Sequence, residues 1–260
     1  MSNSENNAVL FERVGKHIAV VTLNREDKRN AVNGDITQGL SAAIETVEND
    51  PDLRVAILAA KGSVFCAGAD LSEVGKGGKS QLTTEKGGFG GFVKAPRTKP
   101  WIAAVAGKAF GGGCEFALTC DMIVAGTQAQ FGLPEVKRGI IAGAGGAFRI
   151  ARSLPRNIGI QIAITGQPIT AQQALHFGMV NKVVEGDVVA AAIEVAEEIA
   201  GNAPLAVKAS LALARNSFDL TEDDLWDMTG KESVAVMTSE DAKEGPRAFL
   251  EKRAPVWKGR

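Results

Sequence analysis

The chain has 260 residues, 45% of them hydrophobic, and a formal net charge of −1. That is enough apolar material for one large domain, or one domain with a smaller appendage, without disulfide staples. The near-zero charge removes any general electrostatic drive toward nucleic acid or an anionic membrane, and no run is apolar for long enough to span a bilayer.

Residues 1–7 are polar, with no basic segment leading into an apolar one, so no secretory signal is expected and a cytoplasmic protein is. The run Ile18–Leu23, IAVVTL, is short and β-branched and predicts a strand, closed by the charged turn 24–29. Ile36, Leu40, Ala43, Ile44 and Val47 recur at helical period, and Asn49-Asp50-Pro51 stops that helix. Residues 55–59 predict a buried strand, and the same order of strand, turn and helix recurs near 102–105 and 122–124, which implies an α/β core. Residues 63–71, SVFCAGADL, predict a turn whose backbone can face a ligand, with Asp70 placed to cap a short helix after it. The glycine-rich segment 75–91 reads as a mobile surface loop without regular structure. Its Gly78-Lys79-Ser80 imitates the end of a phosphate-binding loop, but Glu73 stands where that pattern requires glycine.

Residues 107–146 carry two glutamates, each where a helix is about to begin. Gly111-Gly112-Gly113 permits a tight turn before an apolar run, so Glu115 falls in a first turn, where unpaired N–H groups and the helix dipole favour negative charge. Pro134-Glu135 repeats the arrangement twenty positions on. An acid at a helix start is commonplace, but Glu115 interrupts an otherwise uncharged stretch, 109–120, where a carboxylate costs stability unless it is hydrogen-bonded or used. Close-approach turns at Ala67 and Gly112, taken with the two acids, suit a reaction that passes through an oxyanion and moves protons, such as one through a thioester enolate. Other chemistries lack their groups. Phe148 breaks the dinucleotide fingerprint that Gly143-Ala144-Gly145 would open, and no G-x-S-x-G elbow occurs.

Thr170-Ala171-Gln172-Gln173 is a capping box opening a short helix, and an amphipathic helix comes next over 189–200. Beyond 201–204 only helices are predicted: 205–215, one from near Thr221 and one from about Ser239. The chain therefore divides into a core, 1–200, and a helical region, 201–260, whose Trp226, Met228, Val234, Val236 and Met237 need cover from the core or from another subunit. His17 and His176 are read as structural. Cys66, Cys114 and Cys120 show no C-x-x-C spacing and read as small buried hydrophobes, so no metal site is expected.

Four segments, FCAGADL at 65–71, GKAFGGGCEFALTCD at 107–121, AQFGLPEVKRGIIAGAGGAFRI at 129–150 and SEDAKEGPRAFLEKR at 239–253, resemble the crotonase superfamily, and most closely its enoyl-CoA hydratases. The resemblance implies a spiral of ββα units followed by a C-terminal helical region that forms trimers, or hexamers built as a dimer of trimers. It also implies an acyl-CoA thioester as substrate, with coenzyme A as part of that substrate and no separate cofactor. Carried over by position, Glu115 and Glu135 match the catalytic acids, and Ala67 and Gly112 the oxyanion-hole donors. Coenzyme A contacts are expected from Lys28, Arg29, Ala31 and the run Cys66, Ala67, Gly68, Ala69, Asp70 and Leu71. The glycine-rich segment 75–91 departs from the bulky helix usual at the family's acyl pocket. Reversible syn addition of water to a trans-2-enoyl-CoA is the activity implied, with dehydration of carnitinyl-CoA or another 3-hydroxyacyl-CoA, or isomerisation of an enoyl-CoA, as the alternative. Relatives that bind RNA or serve as scaffolds give a non-catalytic reading, which the balanced charge does not favour.

Overall fold

A computed structural model describes residues 7–72 and 81–260 of the chain. Most of the polar lead and the first part of the 75–91 segment lie outside the described residues.

The frame is a six-stranded sheet. Strands β1 (Val9–Val14) and β2 (Ile18–Leu23) form an antiparallel hairpin, and β3 (Val55–Ala60), β7 (Trp101–Val105), β9 (Met122–Gly126) and β12 (Lys182–Val184) extend it in parallel, in the order β1-β2-β3-β7-β9-β12. Parallel strands are covered on both faces, which is why β3 and β7 read as nearly unbroken apolar runs. Ala56 and Leu58 look into one core with α1 (Gly34–Asn49), while Val55, Ile57 and Ala59 look into the other. There α6 (Val188–Ala200) lays Ala191, Ala192, Ala196 and Ala200 against the sheet. Asn33 caps α1 by accepting from Ile36 N–H.

A second, smaller sheet gathers the functional loops. Strands β4 (Val64–Cys66), β8 (Lys108–Phe110) and β10 (Gln130–Gly132) run parallel in the order β10-β8-β4, and β11 (Ile169–Thr170) joins antiparallel at the β10 edge. Successive units each give one strand to the large sheet and the next to the small one: β3 then β4, β7 then β8, β9 then β10. Helix α2 (Gly112–Thr119) follows β8; a 3-10 turn (Pro134–Arg138), α3 (Gly146–Ser153) and α4 (Arg156–Thr165) follow β10. This is the ββα spiral expected of a crotonase-like chain. Thr170 and Gln173 close the anticipated capping box at the start of α5 (Ala171–His176). Three helices end the described chain: α7 (Pro204–Asn216), α8 (Glu222–Met237) and α9 (Glu240–Leu250), with Thr221 and Ser239 as N-caps of the last two. None of the described helices is long and apolar enough to cross a membrane.

The described part of 75–91 corrects the expectation of an unstructured loop. Strands β5 (Thr83–Thr84) and β6 (Gly88–Phe89) form a small antiparallel hairpin, and Gly87, Gly90 and Gly91 are buried. The glycines are there for packing: a Cβ on Gly90 would lie 2.3 Å from the Phe116 ring. Phe89 turns inward onto Phe116, ring centroids 5.6 Å apart. Strand β1 escaped sequence reading because only its first residue is buried, so it carries no apolar pattern.

Candidate active site

Ligands of parallel sheets sit beyond the carboxyl ends of the strands, and here three such ends lie side by side. Cys66 ends β4, Phe110 ends β8 and Gly132 ends β10, so the small sheet's order places the turns 67–70, 111–112 and 133–135 next to one another although they are far apart in the chain. Gly111 N–H donates to Gly132 C=O at 2.9 Å and ties two of the turns together. The first turn packs on the second without a side chain between them: a Cβ on Gly68 (φ +94°) would come within 3.1 Å of Gly112 N.

These turns open onto a cavity of about 710 Å³ walled also by the β5–β6 hairpin and by residues 138–144. Both predicted acids line it. Glu115 is 3% exposed, and its Oε1 accepts from Gly146 N–H at 2.9 Å. Burial raises its pKa above the ordinary carboxylate range; the Gly146 and Ala144 N–H groups and Arg149 oppose the rise, and the negative charge of Glu135 adds to it. Glu135 sits in the first turn of the 3-10 segment, at the helix start the sequence predicts, and its Oε1 lies close to Gly111: a Cβ there would be 3.0 Å away. Its pKa is also raised by burial, against the pull of its own N–H and of Arg138. Its Oε2 is buried and has no hydrogen-bond partner among the described residues.

One expected donor is already engaged. Ala67 N–H donates to Arg29 C=O at 3.1 Å, so it does not reach into the cavity. The flanking contacts Val32 N–H to Gly68 C=O and Asp70 N–H to Val32 C=O leave Ala69 N–H between them with no acceptor among the described residues. Gly112 N–H is the first amide of α2, which has no partner within the helix. The N–H groups without an acceptor on residues that line the cavity therefore include those of Ala69 and Gly112, where the expected pair was Ala67 and Gly112.

The other expected contacts divide. Arg29, Ala67, Gly68, Ala69 and Leu71 line the cavity, while Lys28 and Ala31 stand on the adjoining turn. Cys66 does not belong with them: its side chain is fully buried behind the turn and its thiol is pushed up to about 12 by burial. Asp70 is occupied too, accepting from Ser72 N–H and Oγ and pairing with Arg25, which together hold its pKa down. Sequence reasoning missed several residues that shape the site. Asn30, fully buried and left-handed at φ 53°, accepts from Arg25 N–H and donates to Lys61 and Val64 C=O, fixing the turn that bears Arg29. An asparagine among charges in a turn was the available signal. Phe89 gave none, lying in a glycine-rich segment, yet its ring presses on Gly112, where a Cβ would meet it at 2.4 Å.

The overall fold occurs in known proteins. The profile of the enoyl-CoA hydratase/isomerase family matches residues 13–260. The chain belongs to that family. It is 38% identical over 258 residues to an enoyl-CoA hydratase of Mycobacterium tuberculosis, covering 96% of each chain. It is 40% identical over 250 residues to a carnitinyl-CoA dehydratase of Salmonella typhi, covering 94% of this chain and 95% of the relative. A crystal structure of an enoyl-CoA hydratase from M. tuberculosis superposes with a TM-score of 0.94 at 42% identity, covering 98% of this chain and all of the other. An enzyme of the hydratase/isomerase class with the crotonase fold is the consequence.

Proposed function

We propose that this enzyme adds water reversibly, in the syn sense, to a trans-2-enoyl-CoA, giving the 3-hydroxyacyl-CoA. The observation that carries the reading is the meeting of two raised-pKa glutamates and two unengaged peptide N–H groups in one cavity. The thioester oxygen seats between Ala69 and Gly112 N–H, and the coenzyme A portion leaves past residues 67–71 and Arg29. Glu115, whose carboxylate is steadied by N–H donors and Arg149, takes a proton from water as the water oxygen bonds to the β-carbon. The double-bond electrons pass to the thioester oxygen as an enolate, which the two N–H groups stabilise. Glu135, whose partnerless buried oxygen favours the acid form, returns a proton to the α-carbon. The addition leaves Glu115 protonated and Glu135 ionised, and passage of that proton from the first acid to the second, directly or through solvent, restores the enzyme; water is divided as hydroxyl and proton with no change of oxidation state.

Loss of the conjugated thioester's ultraviolet absorbance on mixing with crotonyl-CoA tests this directly. No loss with crotonyl or longer enoyl-CoA overturns it. A second reading, dehydration of a 3-hydroxyacyl-CoA with a cationic acyl end, is favoured by Glu85, an exposed carboxylate in the cavity wall four residues from Phe89. Turnover of carnitinyl-CoA in preference to 3-hydroxybutyryl-CoA decides for it.

Residues 201–260 serve as an oligomerisation region appended to the 1–200 core, forming a trimer or a dimer of trimers. Support comes from α8, which buries no residue although it carries Trp226, Val234 and Met237, and from Phe249 at 83% exposure on α9. A monomeric mass by light scattering overturns this. The three free cysteines fit a reducing, cytoplasmic setting.

A further inference from the structure

Behind Glu115, on the side away from the cavity, lies a guanidinium that the reaction scheme does not use. Arg149 projects from the first turn of α3. Its Nη1 donates to Thr119 Oγ1 at 3.0 Å and to Ala144 C=O at 3.1 Å, and its Nη2 donates to Val93 C=O at 2.9 Å. These acceptors belong to three different segments of the chain, two of which line the cavity. Thr119 ends α2, the helix that bears Glu115, and its hydroxyl donates to Glu115 C=O at 2.6 Å. Ala144 lies in the turn that offers N–H groups to the Glu115 carboxylate, and Val93 and Ala144 both line the cavity. The chain makes room for this arrangement at Gly145: with φ +104° it has a conformation side chains rarely adopt, and a Cβ there would lie 2.4 Å from Arg149 Nη1.

We infer that Arg149 is a positioning residue of the active site, clamping the 144–146 turn and the end of α2 around Glu115 so that its carboxylate is held in one orientation toward the attacking water. A planar fork suits this better than a point charge, because three acceptors in different directions need several N–H groups in fixed geometry. The positive charge has a second effect on the same carboxylate, favouring its ionised form. The other charged groups around Glu115 are Glu135 across the cavity and, beyond it, Arg138. On the far side of Arg149 stand Arg152 on its own helix and Arg97, whose Nη2 donates to Thr119 C=O; the Cys114 thiol, next in sequence, is raised by burial and stays neutral.

The inference rests on the hydratase reading for its kinetic arm, and a spectroscopic arm stands apart from it. In Arg149→Gln, kcat with crotonyl-CoA is expected to fall by ~10²-fold with KM within threefold, as for a displaced reacting group. The acid limb of kcat/KM is expected to move up by ~0.5–1 pH unit, since a cation that favoured ionisation is gone. Arg149→Lys keeps the charge and loses the fork: the limb stays in place while kcat falls by ~10-fold, and it supplies the measurement should the glutamine variant not fold. Carboxyl-carbon NMR of isotopically labelled glutamate reads the Glu115 titration without any turnover, and the same upward shift is expected in Arg149→Gln. An unshifted Glu115 titration, or a lysine variant with wild-type kcat per folded protein, overturns the inference. Absence of hydration by the wild type with a shifted Glu115 titration overturns the hydratase reading and leaves the clamp standing.

Discussion

The two sheets of this protein do different work with different materials. The large sheet is built of β-branched and apolar strands of five or six residues at its centre, buried on both faces, and holds few polar groups. The small sheet has strands of two or three residues, and its worth lies in where they stop. The first supplies much of the buried core and the second the turns around the cavity, where glycines let backbone amides line the wall beside the two glutamate side chains.

The comparison breaks first at the acids. Glu115→Gln and Glu135→Gln are each expected to lower kcat for crotonyl-CoA hydration by ~10²–10⁴-fold while leaving the fold intact. If either variant keeps more than a tenth of wild-type kcat, that residue does not transfer the proton assigned to it. Next comes the backbone: Gly112→Ala drives a Cβ into the Phe89 ring and displaces the amide proposed to hold the thioester oxygen, so ~10²–10³-fold loss of kcat is expected with binding of a saturated acyl-CoA retained. In the large sheet the pattern inverts. Ile57→Ala, in the core beneath α6, should cost ~2–5 kcal/mol by denaturant unfolding while kcat per folded enzyme stays unchanged.

The smallest effect has the more telling sign. A carboxyl whose pKa is raised on folding holds a proton that the unfolded chain has released, so its contribution is fully present below the ordinary value near 4.5 and is lost as pH rises through the folded pKa. Glu115→Gln removes that loss. Its melting temperature should therefore exceed the wild type's at pH 8 by a few degrees, ~2–4 °C per kcal/mol for a chain of this size, and the gap should close toward pH 4. A variant less stable than the wild type at pH 8 would show that Glu115 is stabilising where it stands.

Legibility in the sequence divides along the same line. Strands β2, β3, β7 and β9 and helices α1 and α6 are readable because a buried face imposes period and composition on its residues. The three-residue strands are not, since so short a run has no period, and without them the neighbourhood of residues 67–69, 112 and 135 has no local signature. The glutamates are legible as acids in apolar or glycine-rich company. The free amide of the 67–70 turn is not legible, because whether the Ala67 or the Ala69 N–H is left without an acceptor depends on a pairing with Arg29 and Val32, some forty residues upstream. Phe89 and Arg149 are invisible for the related reason that each acts through a contact made by folding.

The most direct test of the central claim is a crystal structure of the Glu135→Gln variant with crotonyl-CoA bound. The thioester oxygen is expected ~2.7–3.1 Å from both Ala69 N and Gly112 N, with the β-carbon facing a water held by Glu115. A thioester oxygen bonded elsewhere, or to Ala67 N in place of Ala69 N, would contradict it.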